Sequence, residues 1–530
     1  MEEKKINIVN NYQKSSFDVN GIDSEVEIIK SDIKRLYLSD ALPWVIGYSG
    51  GKDSTACLQL IWYAIKELEE SQRSKPIYVI STDTLVENPV VAMWVEVSLE
   101  KMRLEAIQQR MPIEPKRLTP ELQDRFWVNL IGKGYPAPRP MFRWCTSRLK
   151  INPSNNFILD VVAKNGEAIL VLGTRKAESS TRKKVMEGYE GSTRDLLSRN
   201  GNPKLDRVWI YPPIVSWSND DVWEYLVTYK NPWGYDNSQL LNMYRGATQD
   251  NECPLVVDTS TPSCGDSRFG CFVCTLVDKD KSMQAMIKND DEKKWMSPLS
   301  HFRDNFLDIG ITDFDKRDFR RMDGRLTLMD DKDTGGKKLV HGPYLQSYRE
   351  KLLLELLIAQ EQVRASGSEG TEKFQLITDE ELEEIRRIWV KDKNEIEDRV
   401  PEIYKEATGR DYPYESVDEG ALFNRDDIAL LRELASKDNS PDDLHYQLVR
   451  NLLNIERNYS TAIRRVGIYE NLEKALVNGG FENKDEAYQF ALKKSQTTTD
   501  DEEQVRNMME SSATFEVSDL FPLDEDGSKA

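Results

Sequence analysis

The sequence has few of the residues that most often build metal and catalytic sites. It contains 3 histidines and 6 cysteines in 530 residues. His301, His341 and His445 are isolated from one another, so no His-rich metal site is predicted. No uninterrupted apolar run approaches the ~18 residues of a transmembrane helix. The start, MEEKKINIVNN, has no apolar core of a secretory signal. We therefore expect a cytoplasmic protein that does not enter a membrane.

Positive charge is also in short supply. The chain has 72 Lys and Arg against 91 Asp and Glu, a formal net charge of -19. This balance argues against a general affinity for nucleic acid, because a non-specific DNA binder needs a cationic surface. The end of the chain, 501–530, is strongly acidic and is expected to be a disordered or interaction tail. Two short basic runs, at 139–150 and 175–184, still allow a local cationic face.

The cysteines are unevenly spread. Four of them lie between Cys253 and Cys274, and Cys271 forms a C-x-x-C pair with Cys274. Without a secretion signal, this grouping favours a metal or redox site over a disulfide framework. Four thiolates suit a [4Fe–4S] cluster or a structural zinc ion. Reduced cysteines without a metal are the remaining alternative. Cys57 falls on an apolar helix face and is predicted to be a core residue.

Short apolar runs alternate with helical patterns in the first half of the chain. The runs at 42–48, 76–83 and 167–175 predict buried strands, and 88–110 predicts a helix. Ser218 is a favourable N-cap for another helix. After the first strand, apolar residues recur at helical spacing at Cys57, Leu60, Ile61, Ala64, Ile65 and Leu68. Strands that alternate with helices predict an α/β fold with a doubly wound parallel sheet, covered on both faces.

Beyond Cys274 the pattern becomes mostly helical. Residues 347–363 and 441–493 predict helices, and 365–372 predicts a linker. Thr378 with Glu381 predicts a capping box at a further helix start. We divide the chain into an N-terminal extension (1–40), an α/β domain with the cysteines (41–280), a helical region (281–500) and the acidic tail (501–530).

The first predicted strand ends in YSGGKDST, a glycine-rich turn that leads into a helix. It departs from the Walker loop G-x-x-x-x-G-K-[ST], because Gly47 and Gly51 enclose only three residues and Asp53 follows Lys52. Backbone N–H groups of such a turn, together with a helix N-terminus, favour an anion. In an open parallel sheet this site lies at the carboxyl ends of the strands. Asp53 is suited to hold Mg²⁺ together with phosphate oxygens.

The segment SGGKDST resembles the PP-loop of the ATP pyrophosphatases. Members of that family bind the β,γ-pyrophosphate of ATP and release it after attack on the α-phosphate. STDT (81–84) is similar to the family's second nucleotide-contacting edge. GTRKAES (173–179) and PIVSWSNDDVW (213–223) resemble segments of the phosphoadenylylsulfate reductase branch. The resemblance implies an adenine nucleotide alpha hydrolase-like fold with ATP and Mg²⁺ as cofactors.

The resemblance also implies which residues act. The nucleotide site would consist of Ser49, Gly50, Gly51, Lys52, Asp53, Ser54, Thr82, Asp83, Gly173 and Arg175. Lys52, Asp53 and Arg175 are expected to take part in catalysis, and Arg175 is expected to face the reacting phosphates, since its guanidinium fork matches a phosphate.

The same branch implies a role for the cysteines. Its cluster is often held by a cysteine after strand three and by a later C-x-x-C, which correspond here to Cys145, Cys271 and Cys274. The fourth ligand is open between Cys253 and Cys264, and we favour Cys253. Cys264 is then a candidate reactive, catalytic thiol, because it lies near an arginine and nearby cations lower the pKa of a thiol.

One feature separates this chain from the sulfonucleotide reductases. Those enzymes carry a nucleophilic cysteine near the C-terminus, whereas no cysteine follows Cys274. The segment STPSCGDSRFGCFVCTLV, with RWCTSRLKI and a long helical tail, is similar instead to the DndC family, the sulfur-transfer ATPases of bacterial DNA phosphorothioation. A reductase with an unusual nucleophile and an ATP-binding assembly scaffold without turnover remain as alternatives.

The DndC resemblance implies a substrate and partners. A non-bridging phosphate oxygen of DNA would be replaced by sulfur, and ATP would be cleaved to AMP and pyrophosphate. A cysteine desulfurase would donate the sulfur, through the cluster or a persulfide, and further Dnd proteins would join the complex. Arg182, Lys183 and Lys184 are predicted to hold the DNA backbone.

Overall fold

The computed structural model describes residues 15–140, 142–176, 196–247, 269–277, 279–307, 310–331, 334–414, 425–435, 443–460 and 465–496. Cys253, Cys264, Arg182, Lys183 and Lys184 lie outside the described residues, as does the acidic tail. What the sequence predicts for them stays a prediction.

Six strands form one sheet, in the order β3–β2–β1–β4–β6–β5. They are β1 (Trp44–Gly47), β2 (Ile77–Thr82), β3 (Ile113–Leu118), β4 (Ala168–Val171), β5 (Ser198–Arg199) and β6 (Val208–Tyr211). All neighbouring pairs are parallel except β5 with β6. The chain runs outward from β1 to β3 and then returns to β4 on the other side of β1, so the strand order reverses at β1. The predicted doubly wound α/β fold is confirmed, and its reversal point marks where such folds bind ligands.

Some of these strands were predicted from the sequence and others were not. Trp44, Val45 and Ile46 of β1 are all fully buried, because helices cover both faces of the central strands. The predictions for β1, β2 and β4 are therefore confirmed within a few residues at each end. The strand β3 was not predicted. In its sequence, IEPKRL, only Ile113 is buried, because the strand lies at the edge of the sheet, where polar side chains reach solvent.

Seven helices belong to the sheet-containing part within the described ranges. They are α1 (Phe17–Asn20), α2 (Ile22–Leu38), α3 (Lys52–Lys66), α4 (Pro89–Gln108), α5 (Asn152–Asn165), α6 (Asn219–Thr228) and α7 (Asn237–Gly246). The predicted apolar stripe of α3 is buried throughout. Ser218 caps α6 as predicted, since its hydroxyl accepts a hydrogen bond from the Asp221 N–H at 3.1 Å.

The second half of the chain is mostly helical, as predicted. Its helices are α8 (Lys281–Asn289), α9 (Ser297–Phe302), α10 (Gln346–Arg364), α11 (Asp379–Arg387), α12 (Val400–Thr408), α13 (Arg425–Ala435), α14 (Leu444–Ser460) and α15 (Ile468–Gly479). Residues 484–496 are also helical, and a hairpin joins β7 (Leu328–Asp330) to β8 (Lys337–Leu339). Thr378 and Glu381 form the predicted capping box of α11.

The helical region packs directly on the sheet-containing part. One hydrophobic cluster contains residues from both sides of position 280. The Trp127 indole donates a hydrogen bond to the Leu376 carbonyl at 2.7 Å, and the Trp389 indole donates to the Ile131 carbonyl at 3.0 Å. In the part of the chain that the structure describes, no helix has the length and apolar character to cross a lipid bilayer.

Candidate functional site

The glycine-rich turn joins β1 to α3 at the carboxyl edge of the sheet. Gly50 has a φ of +74°, and a Cβ at this position would lie 2.5 Å from Val95 Cγ2, so both the backbone and the packing require glycine. Gly173, just after β4, packs closely against the backbone of the same turn. A Cβ there would lie 2.7 Å from the Asp53 carbonyl oxygen and 3.1 Å from the Ser54 nitrogen.

Hydrogen bonds fix the curve of the turn. The Ser54 hydroxyl donates to the Gly51 carbonyl at 3.0 Å and accepts from the Ser49 N–H at 3.2 Å. The Trp94 indole donates to the Gly50 carbonyl at 3.1 Å. The first N–H groups of α3 have no carbonyl partner within the helix, so the turn presents donors and the positive end of the helix dipole to a ligand.

Replacing Gly173 by alanine is expected to weaken ATP binding and to lower the free energy of unfolding by about 1–3 kcal/mol, because the new Cβ would displace the backbone of the turn. Gly246→Ala is the matched control, since a Cβ at Gly246 meets no atom within 4 Å. Calorimetric titration with ATP and thermal unfolding would measure both effects. Wild-type affinity in Gly173→Ala would show that this close approach does not shape the nucleotide site.

Asp53 is held between two cations. Arg175 Nε donates to Asp53 Oδ1 at 2.6 Å, and Lys52 Nζ donates to Asp53 Oδ2 at 2.9 Å. Arg175 is only 3% exposed, and its Nη1 also donates to the Trp217 carbonyl at 3.3 Å. The Asp53 side chain keeps 24% of its surface exposed. The structure thus brings together three of the four residues expected to act in catalysis, with Arg175 bonded to the turn through Asp53, while the fourth, Cys264, lies outside the described residues.

The second predicted edge of the site lies at the end of β2, next to β1. The Thr82 hydroxyl is 2.9 Å from the Ser154 hydroxyl. Asp83 forms an ion pair with Arg117 of β3, and its Oδ1 accepts from the Leu85 N–H at 2.8 Å. Because β1 and β2 are parallel neighbours, the end of β2 lies at the same edge of the sheet as the turn, and both side chains already have partners in the protein.

Three cysteines share one neighbourhood around Lys150. The Coulombic effect of Cys271 is the main cause that raises the pKa of Lys150, and Glu87, Cys145 and Cys274 add to it. Burial raises the pKa of Cys271 to about 11, against the opposing effect of Lys150. Burial also raises the pKa of Cys145, and the proximity of Cys274 adds to the shift. These couplings place Cys145, Cys271 and Cys274 near Lys150, and the cluster role that the family resemblance implies for them stays a prediction.

The loop between the end of β2 and the start of α4 positions the C-x-x-C segment. Cys271 forms an antiparallel bridge with Glu87, and the Phe272 N–H donates to the Val86 carbonyl at 3.1 Å. Thr84 Oγ1 lies 3.4 Å from Cys271 Sγ. The opposite side is formed by the π-helical turn Thr146–Ile151, which begins after Cys145 and carries Lys150. Turns of this type are frequent at functional sites.

Within the described ranges, no group of three or more His, Cys, Asp or Glu side chains is arranged to hold a metal ion. The thiol donors of Cys145, Cys271 and Cys274 are of the type that iron–sulfur clusters use. A complete site would need a fourth ligand, and both candidates, Cys253 and Cys264, lie outside the described residues. The donor type and the shared neighbourhood fit a cluster, but the described cysteines alone do not complete one.

The basic run at 139–150 is less cationic than its composition indicates. Arg139 pairs with Asp313 and Arg148 pairs with Asp124, each at 2.5 Å between nitrogen and oxygen. Lys150 lies among the cysteines. Intramolecular partners therefore reduce the positive potential that this segment offers to nucleic acid.

Sequence reasoning missed Tyr244, which closes the site from α7. The Lys52 N–H donates to the Tyr244 hydroxyl at 3.4 Å, and Lys52 Nζ lies 5.9 Å from the centre of the ring. No motif marks this residue, because α7 is distant in sequence from the turn. The only signal is that Tyr244 falls on the apolar face of α7 together with Leu240 and Met243.

A known protein family matches part of this chain. A family model described as the phosphoadenosine phosphosulfate reductase domain matches residues 43–233. Residues 43–233 resemble that reductase domain. The matched segment contains the glycine-rich turn, the end of β2, Cys145 and Arg175. It ends before the C-x-x-C pair. A comparison with curated proteins found no match.

Two solved structures illustrate how remote the structural relatives are. Candida glabrata FMN adenylyltransferase in complex with FAD and inorganic pyrophosphate is 10% identical, with a TM-score of 0.25. The alignment covers 45% of this chain and 66% of that chain, so this chain spans just under two thirds of the length of that protein. The U34-tRNA thiolase NcsA from Methanococcus maripaludis with its [4Fe-4S] cluster is 12% identical, with a TM-score of 0.26, and the alignment covers 55% and 81%. At these scores the fold assignment rests on the strand order of this chain.

Proposed function

We propose that this chain is a PP-loop ATP pyrophosphatase that uses cleavage of ATP to AMP and pyrophosphate to drive sulfur transfer to the DNA backbone. One observation carries the proposal. The glycine-rich turn follows β1, and Cys271 is bridged to the segment that follows the adjacent parallel strand β2. Neighbouring parallel strands end at the same edge of a sheet, so the glycine-rich turn and Cys271 would face a ligand from the same edge.

The chemistry needs an activated phosphate, because an oxygen of a phosphodiester is a poor leaving group. A non-bridging oxygen of DNA would attack the α-phosphorus of ATP, and pyrophosphate would leave. Sulfur at the level of hydrosulfide would then attack the DNA phosphorus, forming the P–S bond as the bond to AMP breaks. No electrons are gained or lost in this sequence. A persulfide donor would additionally require a thiol reductant to cleave its S–S bond.

The residues of the turn have distinct tasks in this scheme. The N–H groups at the start of α3 would bind the β,γ-pyrophosphate. Nucleotide and Mg²⁺ would replace the contact between Lys52 and Asp53 by two new ones, Lys52 with phosphate and Asp53 with the cation. Arg175 would keep the Asp53 carboxylate in place during this exchange. Most of the rate enhancement would come from positioning and charge neutralisation.

The cysteines would handle sulfur beside this site. Cys145, Cys271 and Cys274 would hold a [4Fe–4S] cluster, with Cys253 as the favoured fourth ligand and Cys264 as a reactive thiol. When bound, such a cluster supplies a place for inorganic sulfur. A cysteine desulfurase as sulfur donor and other Dnd proteins as partners follow from the resemblance of the cysteine segment to the DndC family. The partners would also provide the DNA affinity that a net charge of -19 disfavours.

The test is the sulfur content of DNA from cells that contain the partner proteins together with this chain, without it, or with its Asp53→Ala variant. Phosphorothioate linkages are expected only with the wild-type chain. Unmodified DNA in all three strains would contradict the proposal that DNA accepts the sulfur. Modification that persists with Asp53→Ala would favour an assembly scaffold, and release of sulfite from a sulfonucleotide by the purified chain would favour a reductase.

A further inference from the structure

Tyr244 occupies the position where a ligand of the turn would bind. Its hydroxyl accepts the hydrogen bond of the Lys52 N–H at 3.4 Å, and a Cβ on Gly51 would come within 3.2 Å of the same oxygen. The Lys52 N–H belongs to the first turn of α3, whose donors are those that an anion would take. The long donor–acceptor distance indicates a weak bond that a charged oxygen would replace.

The hydroxyl of Tyr244 is suited to serve an anion as a donor. The residue is only 9% exposed, and burial raises its pKa above the usual range, with Asp53 adding to the shift. The hydroxyl therefore stays protonated at neutral pH. Its O–H is a donor in addition to being the acceptor of the Lys52 N–H, so an anion that takes the Lys52 N–H can also accept a hydrogen bond from this hydroxyl.

The ring of Tyr244 extends the contact to the cysteine segment. It meets Phe269 edge-on, with centroids 4.7 Å apart and planes at 81°, and it meets Trp223 in the same manner at 5.1 Å. Phe269 precedes Gly270 and Cys271. The Gly270 carbonyl accepts from the Asn88 N–H at 3.2 Å, next to the bridge between Cys271 and Glu87. The described residues thus form a continuous path from the turn to the C-x-x-C pair.

We propose that Tyr244 is a pyrophosphate-contacting residue that couples occupancy of the glycine-rich turn to the position of the Cys271–Cys274 segment. In the structure the Tyr244 hydroxyl accepts the hydrogen bond of the Lys52 N–H. Pyrophosphate would take that N–H, the protonated Tyr244 hydroxyl would donate a hydrogen bond to a phosphate oxygen, and the ring would transmit the displacement to Phe269. This inference rests on the proposed function, because it assumes that the turn binds pyrophosphate.

Binding by the full-length Tyr244→Phe variant tests the hydroxyl. The substitution keeps the ring and its contacts with Phe269 and Trp223. With Mg²⁺ present, we expect calorimetric Kd values for pyrophosphate and ATP to rise about 10-fold or more, as for loss of a hydrogen bond to a charged group. The Kd for AMP, which lacks the β,γ-phosphates, should stay unchanged. Tyr348→Phe is the matched control, because it removes a buried hydroxyl that donates to the Phe306 carbonyl at 2.8 Å, away from the turn.

Hydrogen exchange of residues 269–277 tests the coupling. Pyrophosphate is expected to change amide exchange in this segment of the wild-type chain, and the change should be lost in Phe269→Leu while pyrophosphate still binds. Equal pyrophosphate affinity in wild type and Tyr244→Phe would overturn the contact, and the same exchange response in wild type and Phe269→Leu would overturn the coupling. A wild-type chain that binds neither ATP nor pyrophosphate would instead overturn the proposed function itself.

Discussion

Replacing Arg175 by methionine is expected to lower the rate of AMP formation by about 100-fold or more, as for the loss of one preorganised electrostatic contact in an active site. Arg175 is buried and bonds to Asp53 Oδ1 at 2.6 Å. Without it, Lys52 becomes the remaining cation bonded to Asp53 in the described structure, so Lys52 would be retained by the carboxylate instead of moving to phosphate. Arg175→Lys keeps a positive charge without the guanidinium fork, so its rate of AMP formation should lie between those of the wild type and Arg175→Met.

The control for this variant is Arg199→Met on β5. Arg199 is exposed, and its ion pair with Glu167 at 3.3 Å lies on the surface of the sheet edge. Steady-state rates of AMP formation at saturating ATP, together with thermal unfolding, separate an effect on catalysis from an effect on folding. Turnover in Arg175→Met equal to that of Arg199→Met would show that the pair with Asp53 has no role in catalysis.

Serine at Cys145, Cys271 or Cys274 is expected to abolish iron binding. The chain purified without oxygen should be brown and contain about four iron ions, as a cubane cluster requires. Serine is a poor ligand for a soft metal, so each substitution should remove the colour and the iron. Iron and zinc analysis with visible absorption spectra would measure this. Cys253→Ser and Cys264→Ser identify the fourth ligand, since only one of them should lose the cluster.

Cys57→Ala is the matched control, because Cys57 is fully buried in the core of α3 and is predicted to leave the iron content unchanged. Stoichiometric zinc in a colourless anaerobic preparation would contradict the cluster and favour a structural metal. Full iron content in Cys271→Ser would show that the C-x-x-C pair is not the ligand set.

Much of the fold follows from local sequence. The apolar run of β1 and the helical stripe of α3 are both visible, because each segment is buried along its whole length. The edge strand β3 was not visible, since Glu114, Lys116 and Arg117 mix with apolar residues there. An edge strand pairs on one side only and exposes much of its surface, so composition indicates it poorly.

Sequence motifs nominated members of the candidate site but could not predict their contacts. The turn, Arg175 and the three described cysteines were identified by motif. That Arg175 pairs with Asp53 follows only from the fold, because 122 residues separate them. Tyr244 was missed for the same reason, since its contact with Lys52 spans 192 residues. Lys150 lies in a recognised motif, but its position among the cysteines depends on the π-helical turn that carries it.

The most direct measurement of the central claim is the product of ATP cleavage. The full-length chain, with Mg²⁺, acceptor DNA and a sulfur donor, would be incubated with ATP labelled at the α-phosphate, and pyrophosphate would be measured in parallel. The account predicts labelled AMP and an equal amount of pyrophosphate, both lost in Asp53→Ala. Labelled ADP with inorganic phosphate would contradict it, because the turn would then direct cleavage to the γ-phosphate.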